Sequence, residues 1–279
     1  MPAIGFRNDF VITENRIDRR FAQLRAEGRK ALVTYIVAGD GGLENTVPMM
    51  HQLVEAGSDL IELGVPFSDP MAEGPVIQKG HERALEHKSS LRKCLELVKE
   101  FRREDGETPV ILMGYANPIE KMGAEQFADA ARDAGVDGAL TVDLPAEEAG
   151  PLNQLLGERG LRNIFLLTPT TSEERIGAIT RLASGFVYYV SLKGVTGAGH
   201  LDLDSVRDNL ARIRRHTDLP LCVGFGIKDG ASARAVSEPG DGAVVGSVLV
   251  SIIGEARDAA EAKGKITSLV GEMRAALDA

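Results

Sequence analysis

The sequence predicts an α/β fold, a single-domain (β/α)8 TIM barrel with an extra N-terminal helix, and three observations predict it. Eight short apolar runs recur along the chain, stretches of helical spacing separate them, and the alternation continues toward the C-terminus without a break. Strict alternation requires right-handed crossovers and a parallel sheet, and a count of eight strands closes most naturally into a cylinder. An open doubly wound sheet is the competing architecture. Repeats of about 25 to 35 residues without interruption, and the lack of a G-x-G-x-x-G after the first strand, argue against it.

Apolar spacing first predicts a helix over 16–26, ahead of the first strand at 31–37. A helix over 43–56 leads to the second strand at 59–63, and one over 91–101 to the third at 110–113. Helices over 124–134 and 152–158 flank the fourth strand at 138–142 and lead to the fifth at 163–167. A helix over 173–182 precedes the sixth strand at 186–190, and one over 203–213 precedes the seventh at 219–223. The eighth strand, 242–245, is followed by one long helix over 248–277. Residues 1–279 are read as one barrel domain, with 1–14 as an N-terminal extension.

Composition narrows the function. The 279 residues, 43% of them hydrophobic, are enough for one large core. Asp and Glu outnumber Lys and Arg by 41 to 32, a formal charge of −9, which argues against nucleic acid as a partner. Cys94 and Cys222 lie far apart and read as buried small hydrophobes. Five histidines are scattered without metal-ligand spacing, so no metal is expected, and His81 and His87 read as exposed polar residues on a helix. No segment reaches the ~20 apolar residues that a membrane span requires, and a cytoplasmic location is expected.

The run from Asp59 to Pro75 is the most informative stretch. It opens as a buried strand with an acid, Glu62, inside it, and an ionised carboxylate in apolar surroundings is costly or has its pKa raised. Gly64, Pro66, Pro70, Gly74 and Pro75 then forbid regular structure and turn Glu73 back toward the strand end. Two carboxylates in unequal environments on one cavity suit acid and base catalysis. In a barrel of this type the catalytic groups lie at the C-terminal strand ends, where Glu62, Tyr115, Asp143, Tyr188 and Phe225 all fall.

Gly224-Phe225-Gly226-Ile227 follows the seventh strand, and Gly246-Ser247 opens the helix after the eighth. Glycines allow close backbone approach, and helix N-terminal N–H groups attract an anion, so these loops form a candidate phosphate site. Tight turns and a simple Ser247 helix cap would explain the same residues. The glycine-rich segment Gly194-Val195-Thr196-Gly197-Ala198-Gly199 favours the phosphate reading, as a lid over the same anion. A small phosphorylated molecule is the expected ligand.

The run from Glu62 to Pro70, with Gly74-Pro75-Val76-Ile77-Gln78 after it, resembles the signature of the tryptophan synthase alpha chain family. Tyr115-Ala116-Asn117-Pro118, Asp143-Leu144-Pro145, Gly194-Val195-Thr196-Gly197, Gly224-Phe225-Gly226-Ile227 and Gly246-Ser247 resemble further family motifs, in the family's order. The resemblance implies a lyase of L-tryptophan biosynthesis that splits indole-3-glycerol phosphate by a retro-aldol reaction into indole and glyceraldehyde 3-phosphate. It implies Glu62 as the proton carrier, Glu73 as the acid at the indole N–H, and Tyr188 beside them. Tyr35, Met113, Tyr115, Thr196 and Phe225 would contact the rest of the substrate, and Gly197, Gly226, Gly246 and Ser247 its phosphate. For Tyr35, Met113, Tyr115 and Phe225, ordinary barrel packing is an equal reading of the residues.

The chain departs from the family in places. Glu73 stands where the family usually has Asp, Gly39-Asp40-Gly41 lacks a common proline, and Leu192-Lys193 replaces a more usual polar pair. No cofactor is expected in this chain. The resemblance places pyridoxal phosphate in a partner beta subunit, within an alpha2-beta2 heterotetramer docked through the loops around Asp69 and Asn117-Pro118. Other functions consistent with the sequence are a lyase acting alone, a binding-only activator of a pyridoxal phosphate enzyme, and a phosphosugar isomerase. The last would need an electrophile such as Lys193 or His200.

Overall fold

Eight parallel strands close into a barrel in the order β1-β2-β3-β4-β5-β6-β7-β8, in a computed structural model that describes residues 15–191, 203–224 and 226–279. They are β1 (Ala31–Val37), β2 (Leu60–Gly64), β3 (Val110–Gly114), β4 (Gly138–Thr141), β5 (Arg162–Leu167), β6 (Val187–Val190), β7 (Leu221–Gly224) and β8 (Gly242–Val245). Closure is made by β1 and β8, with Ala31 in register with Gly242 and Thr34 with Val245. The expected N-terminal helix is α1 (Arg16–Ala26), whose Asn15 cap accepts from the Ile17 amide at 2.9 Å.

The strands carry two apolar faces, which is why they read as continuous runs rather than alternations. Val33, Leu60, Ile111, Leu140, Ile164, Phe186, Cys222 and Val244 fill the interior with Ile17 and Phe21 of α1 below them. The opposite faces pack under the surrounding helices, with Leu32, Ile61, Leu112, Phe165 and Val223 in a second, larger core. Both cysteines are buried and free, as expected.

The helix positions agree with the sequence pattern for α2 (Leu43–Glu55), α4 (Leu91–Phe101), α6 (Ala124–Ala134), α7 (Gly150–Glu158), α8 (Glu173–Leu182) and α9 (Leu203–Arg214). The helix expected around His81 and His87 is α3 (Pro75–Glu86), and two more helices lie in stretches for which no helix was specified: α5 (Ala116–Met122) and α10 (Gly230–Ser237). Pro75 does not prolong the loop; it occupies the first turn of α3, where its missing N–H costs nothing. The expected single helix over 248–277 is two, α11 (Ser247–Glu255) and α12 (Ala259–Asp278). Ala256 is extended, and the Asp258 carboxylate restarts the helix by accepting from the Glu261 amide at 2.8 Å.

Polar side chains brace the end of the barrel where the strands begin. Asp59, Asp137 and Asp241, each just before an even-numbered strand, accept from the amides of Leu32, Val110 and Leu221 at 2.9, 2.8 and 2.7 Å. Ser184 does the same for Asn163 at 2.8 Å. Arginines neutralise the acids: Arg274 lies 2.8 Å from Asp59, Arg102 and Arg16 lie 2.7 and 2.9 Å from Asp137, and Arg214 pairs with Asp241. Arg274→Ala would remove the nearest cation from the buried Asp59, leaving Arg20 at 3.6 Å and the charge of Arg29. The expected loss is about 3 to 5 kcal/mol of stability, read from the midpoint of denaturant unfolding.

Candidate active site

Glu62 shares an inward face of β2 with Leu60, two residues earlier, and is in register with Tyr35 of β1 and Ile111 of β3. Its side chain is 0% exposed, and neither carboxylate oxygen has a hydrogen-bond partner among the described residues. Burial alone pushes its pKa up to about 8. Burial thus favours the protonated, uncharged form of Glu62, an acid able to give its proton away. Tyr188 of β6 faces the same interior, and the burial of its ring and the nearby Glu62 charge both raise its pKa.

The second acid is positioned from the loop that follows β2. Phe67 stacks on Tyr115 with ring centroids 4.9 Å apart, and the Tyr115 hydroxyl donates to the Glu73 carboxylate. The same hydroxyl accepts from the Ala72 amide at 3.0 Å, and Gln78 of α3 donates to the Glu73 carbonyl at 2.9 Å. Glu73 is half-buried. Desolvation raises its pKa, the Tyr115 hydrogen bond works the other way, and nearby Asp143 adds to the rise. The turn formers thus return Glu73 to the mouth, as the sequence implies, with Tyr115 as its holder.

The aromatic side chains fit at this rim because glycines make room. A side chain at Gly64 would collide with the Tyr35 hydroxyl, one at Gly224 with the Tyr188 ring, and one at Gly246 would press within 3.2 Å of Tyr35. Met113 also packs against the interior cluster and against Tyr35. Tyr35, Met113 and Tyr188 thus belong to the interior clusters around Glu62, and Tyr115 holds the second acid.

Opposite, Gly226 has φ +73°, a left-handed conformation that glycine supplies without strain. Gly246 leads into α11 and provides no side-chain cap, and Ser247 is exposed at its first position. The Leu249 and Val250 amides of this helix start turn back to the Gly246 carbonyl, at 2.9 and 3.1 Å. Thr196, Gly197 and Phe225, together with the lid segment, Lys193 and His200, lie outside the described residues. No cluster of metal-ligating side chains occurs among the described residues.

One expectation is overturned. His81 is not an exposed helix residue: it is 1% exposed, on the buried face of α3 with Gly80 and Ala84. Its Nε2 lies 3.2 Å from the Tyr35 hydroxyl, and its Nδ1 accepts from the Phe67 amide at 3.1 Å. Burial holds its pKa down to about 4. The signal was present in the spacing, since Ile77, Gly80, His81 and Ala84 share one helical face. His87, at the end of α3, is exposed as expected.

A closed parallel barrel with one acid buried inside it and a second held at its rim is the framework of an acid–base enzyme. The sequence profile described as tryptophan synthase alpha chain matches residues 21–278. The tryptophan synthase alpha chain of Thioalkalivibrio sulfidiphilus is 60% identical over 265 residues, spanning 95% of this chain and all of that protein. That of Marinobacter nauticus is 55% identical over the same share of this chain and 98% of its own length. The crystal structure of tryptophan synthase subunit alpha from Legionella pneumophila superposes with a TM-score of 0.89 at 46% identity, covering 95% of this chain and 99% of that one. A ligand-free tryptophan synthase structure from M. tuberculosis gives 0.85 at 31% identity, covering 95% and 100%. The chain belongs to the tryptophan synthase alpha chain family, an enzyme subunit that cleaves indole-3-glycerol phosphate and implies a beta-subunit partner.

Proposed function

We propose that this chain performs the family's retro-aldol cleavage with Glu62 as the single proton carrier and Glu73 as the acid at the indole ring nitrogen. The observation that carries this is the setting of Glu62: fully buried inside the barrel and without a hydrogen-bond partner among the described residues, so that burial raises its pKa toward a value suited to proton transfer. Glu62 gives its proton to indole C3, which converts the ring into an electron sink with positive charge growing at the ring nitrogen. The Glu73 carboxylate accepts a hydrogen bond from that N–H and stabilises the charge. Glu62, now ionised, takes the proton of the glycerol hydroxyl next to the ring. The hydroxyl oxygen becomes the aldehyde oxygen of glyceraldehyde 3-phosphate, the C–C bond breaks, and its electron pair restores aromatic indole.

Tyr188 lies against the acid, while Tyr35 and Met113 bound the indole slot with Tyr115 behind Glu73. Gly226, Gly246 and Ser247 hold the phosphate, and Thr196, Gly197 and Phe225 keep the roles that family membership gives them. The whole chain acts as one barrel unit in the cytoplasm, in an alpha2-beta2 heterotetramer whose beta subunit carries pyridoxal phosphate. Met71 and Asp69, both exposed on the β2–α3 loop, and α5 with Asn117 and Pro118 lie at the same end of the barrel and form the docking surface. The test is to supply indole-3-glycerol phosphate to the chain with and without beta subunit. Indole production stimulated by beta is expected; equal rates would reject partner activation, and activation of beta with no cleavage would select the binding-only reading.

A further inference from the structure

His81 takes no part in the proposed proton transfers, yet it joins two parts of the site. Its Nδ1 accepts the Phe67 N–H, so that nitrogen carries no proton. In a neutral ring the hydrogen then resides on Nε2, 3.2 Å from the Tyr35 oxygen, which must accept it. The Tyr35 hydroxyl has no other hydrogen-bond partner among the described residues, so its own proton is left to be donated elsewhere. Glu62 is the register partner of Tyr35 on β2, and burial, followed by the charges of Glu73 and Glu62, raises the pKa of that hydroxyl. Other charged groups of α3 point away: Arg83 forms a bidentate pair with Asp40 at 2.7 and 2.8 Å, and Lys79 and Glu82 are exposed.

We propose that His81 is a positioning residue, fixed as the Nε2–H tautomer by the Phe67 amide, that makes Tyr35 a hydrogen-bond donor toward the acids and substrate of the barrel mouth. The proposal deepens the reading of the site given above and rests on it. His81 touches no reacting atom; it acts through Tyr35, and through Phe67 it also ties the loop carrying Glu73 to β1.

Asparagine and glutamine separate the two contacts, because the Asn side-chain oxygen can occupy the Nδ1 position and the Gln side-chain nitrogen the Nε2 position. In the complex with beta subunit, kcat and KM for indole-3-glycerol phosphate are measured for Tyr35→Phe, His81→Asn, His81→Gln and the Tyr35→Phe/His81→Asn pair. Expected are losses of about 10-fold in kcat for Tyr35→Phe and for His81→Asn, a pair no worse than Tyr35→Phe alone, and near-parent kcat for His81→Gln. Parent kcat in His81→Asn, equal effects of Asn and Gln, or additive losses in the pair would overturn the proposal. Nitrogen NMR of the parent complex labelled with 15N-histidine reads the ring without turnover. A protonated Nδ1 at pH 7 would overturn the proposal even where cleavage proceeds, whereas a parent complex without cleavage, but with the Nε2–H ring, rejects the lyase reading alone.

Discussion

Glu62→Gln is expected to abolish indole formation, with a fall in kcat of at least about 1000-fold in the beta complex, since one side chain serves both proton transfers. The amide cannot give up a proton to C3 or take one from the hydroxyl. The same substitution should make the protein more stable at alkaline pH. The native carboxyl has a pKa of about 8 against 4.5 when solvated, so between those values the folded chain holds a proton that the unfolded chain has released. Stability from this group is fully present below pH 4.5 and is lost as pH rises through 8, a loss approaching roughly 5 kcal/mol. Glutamine removes that slope. Denaturant unfolding at pH 5 and pH 9 should therefore give similar stabilities to parent and variant at the lower pH and a clear advantage to the variant at the higher. Near-parent turnover, or parallel stability curves, would refute the assigned role.

Glu73→Ala should lower kcat by about 100- to 1000-fold, the usual cost of removing one group placed where transition-state charge develops. Glu73→Asp should keep activity within about 10-fold, because a carboxylate remains on the same loop and only its reach changes. The contrast isolates charge from geometry. Tyr115 holds the longer acid by a direct hydrogen bond, and the loop residues before it, Met71 and Ala72, are exposed, so no packed neighbour of theirs opposes a one-methylene shift. If alanine matched the parent, the ring-nitrogen role would belong to another residue.

The barrel was readable because its evidence is repetitive: eight apolar runs fix eight strands, and all eight lie within two residues of their expected limits. What escaped was local. The start of α3 hides behind Pro75, a residue that ends helices in their interior but favours their first turn, so its opening turn reads as loop although His81 and His87 read as helical. The last two helices read as one because Arg257-Asp258 interrupts the apolar period too briefly to notice. In the site, Glu62 was legible because a carboxylate inside a strand violates the local pattern. His81 was less legible: its spacing with Ile77, Gly80 and Ala84 marks an inner face, but a histidine in a polar helix breaks no pattern, and its burial is completed by the approach of β1 and the Phe67 loop, a tertiary fact. The glycines at 64 and 224 are similar: their reason is a tyrosine from a neighbouring strand.

Asp59, Asp137, Ser184 and Asp241 each clasp an odd-numbered strand to the even-numbered one after it, never the reverse. The cylinder is thereby fastened in four couples, each a quarter-turn of the circumference with its own latch. A circular permutation opened between couples would cut none of these latches, whereas one opened within a couple would part a latch from its strand, so the fold carries a built-in fourfold modularity that its unrelated side chains conceal.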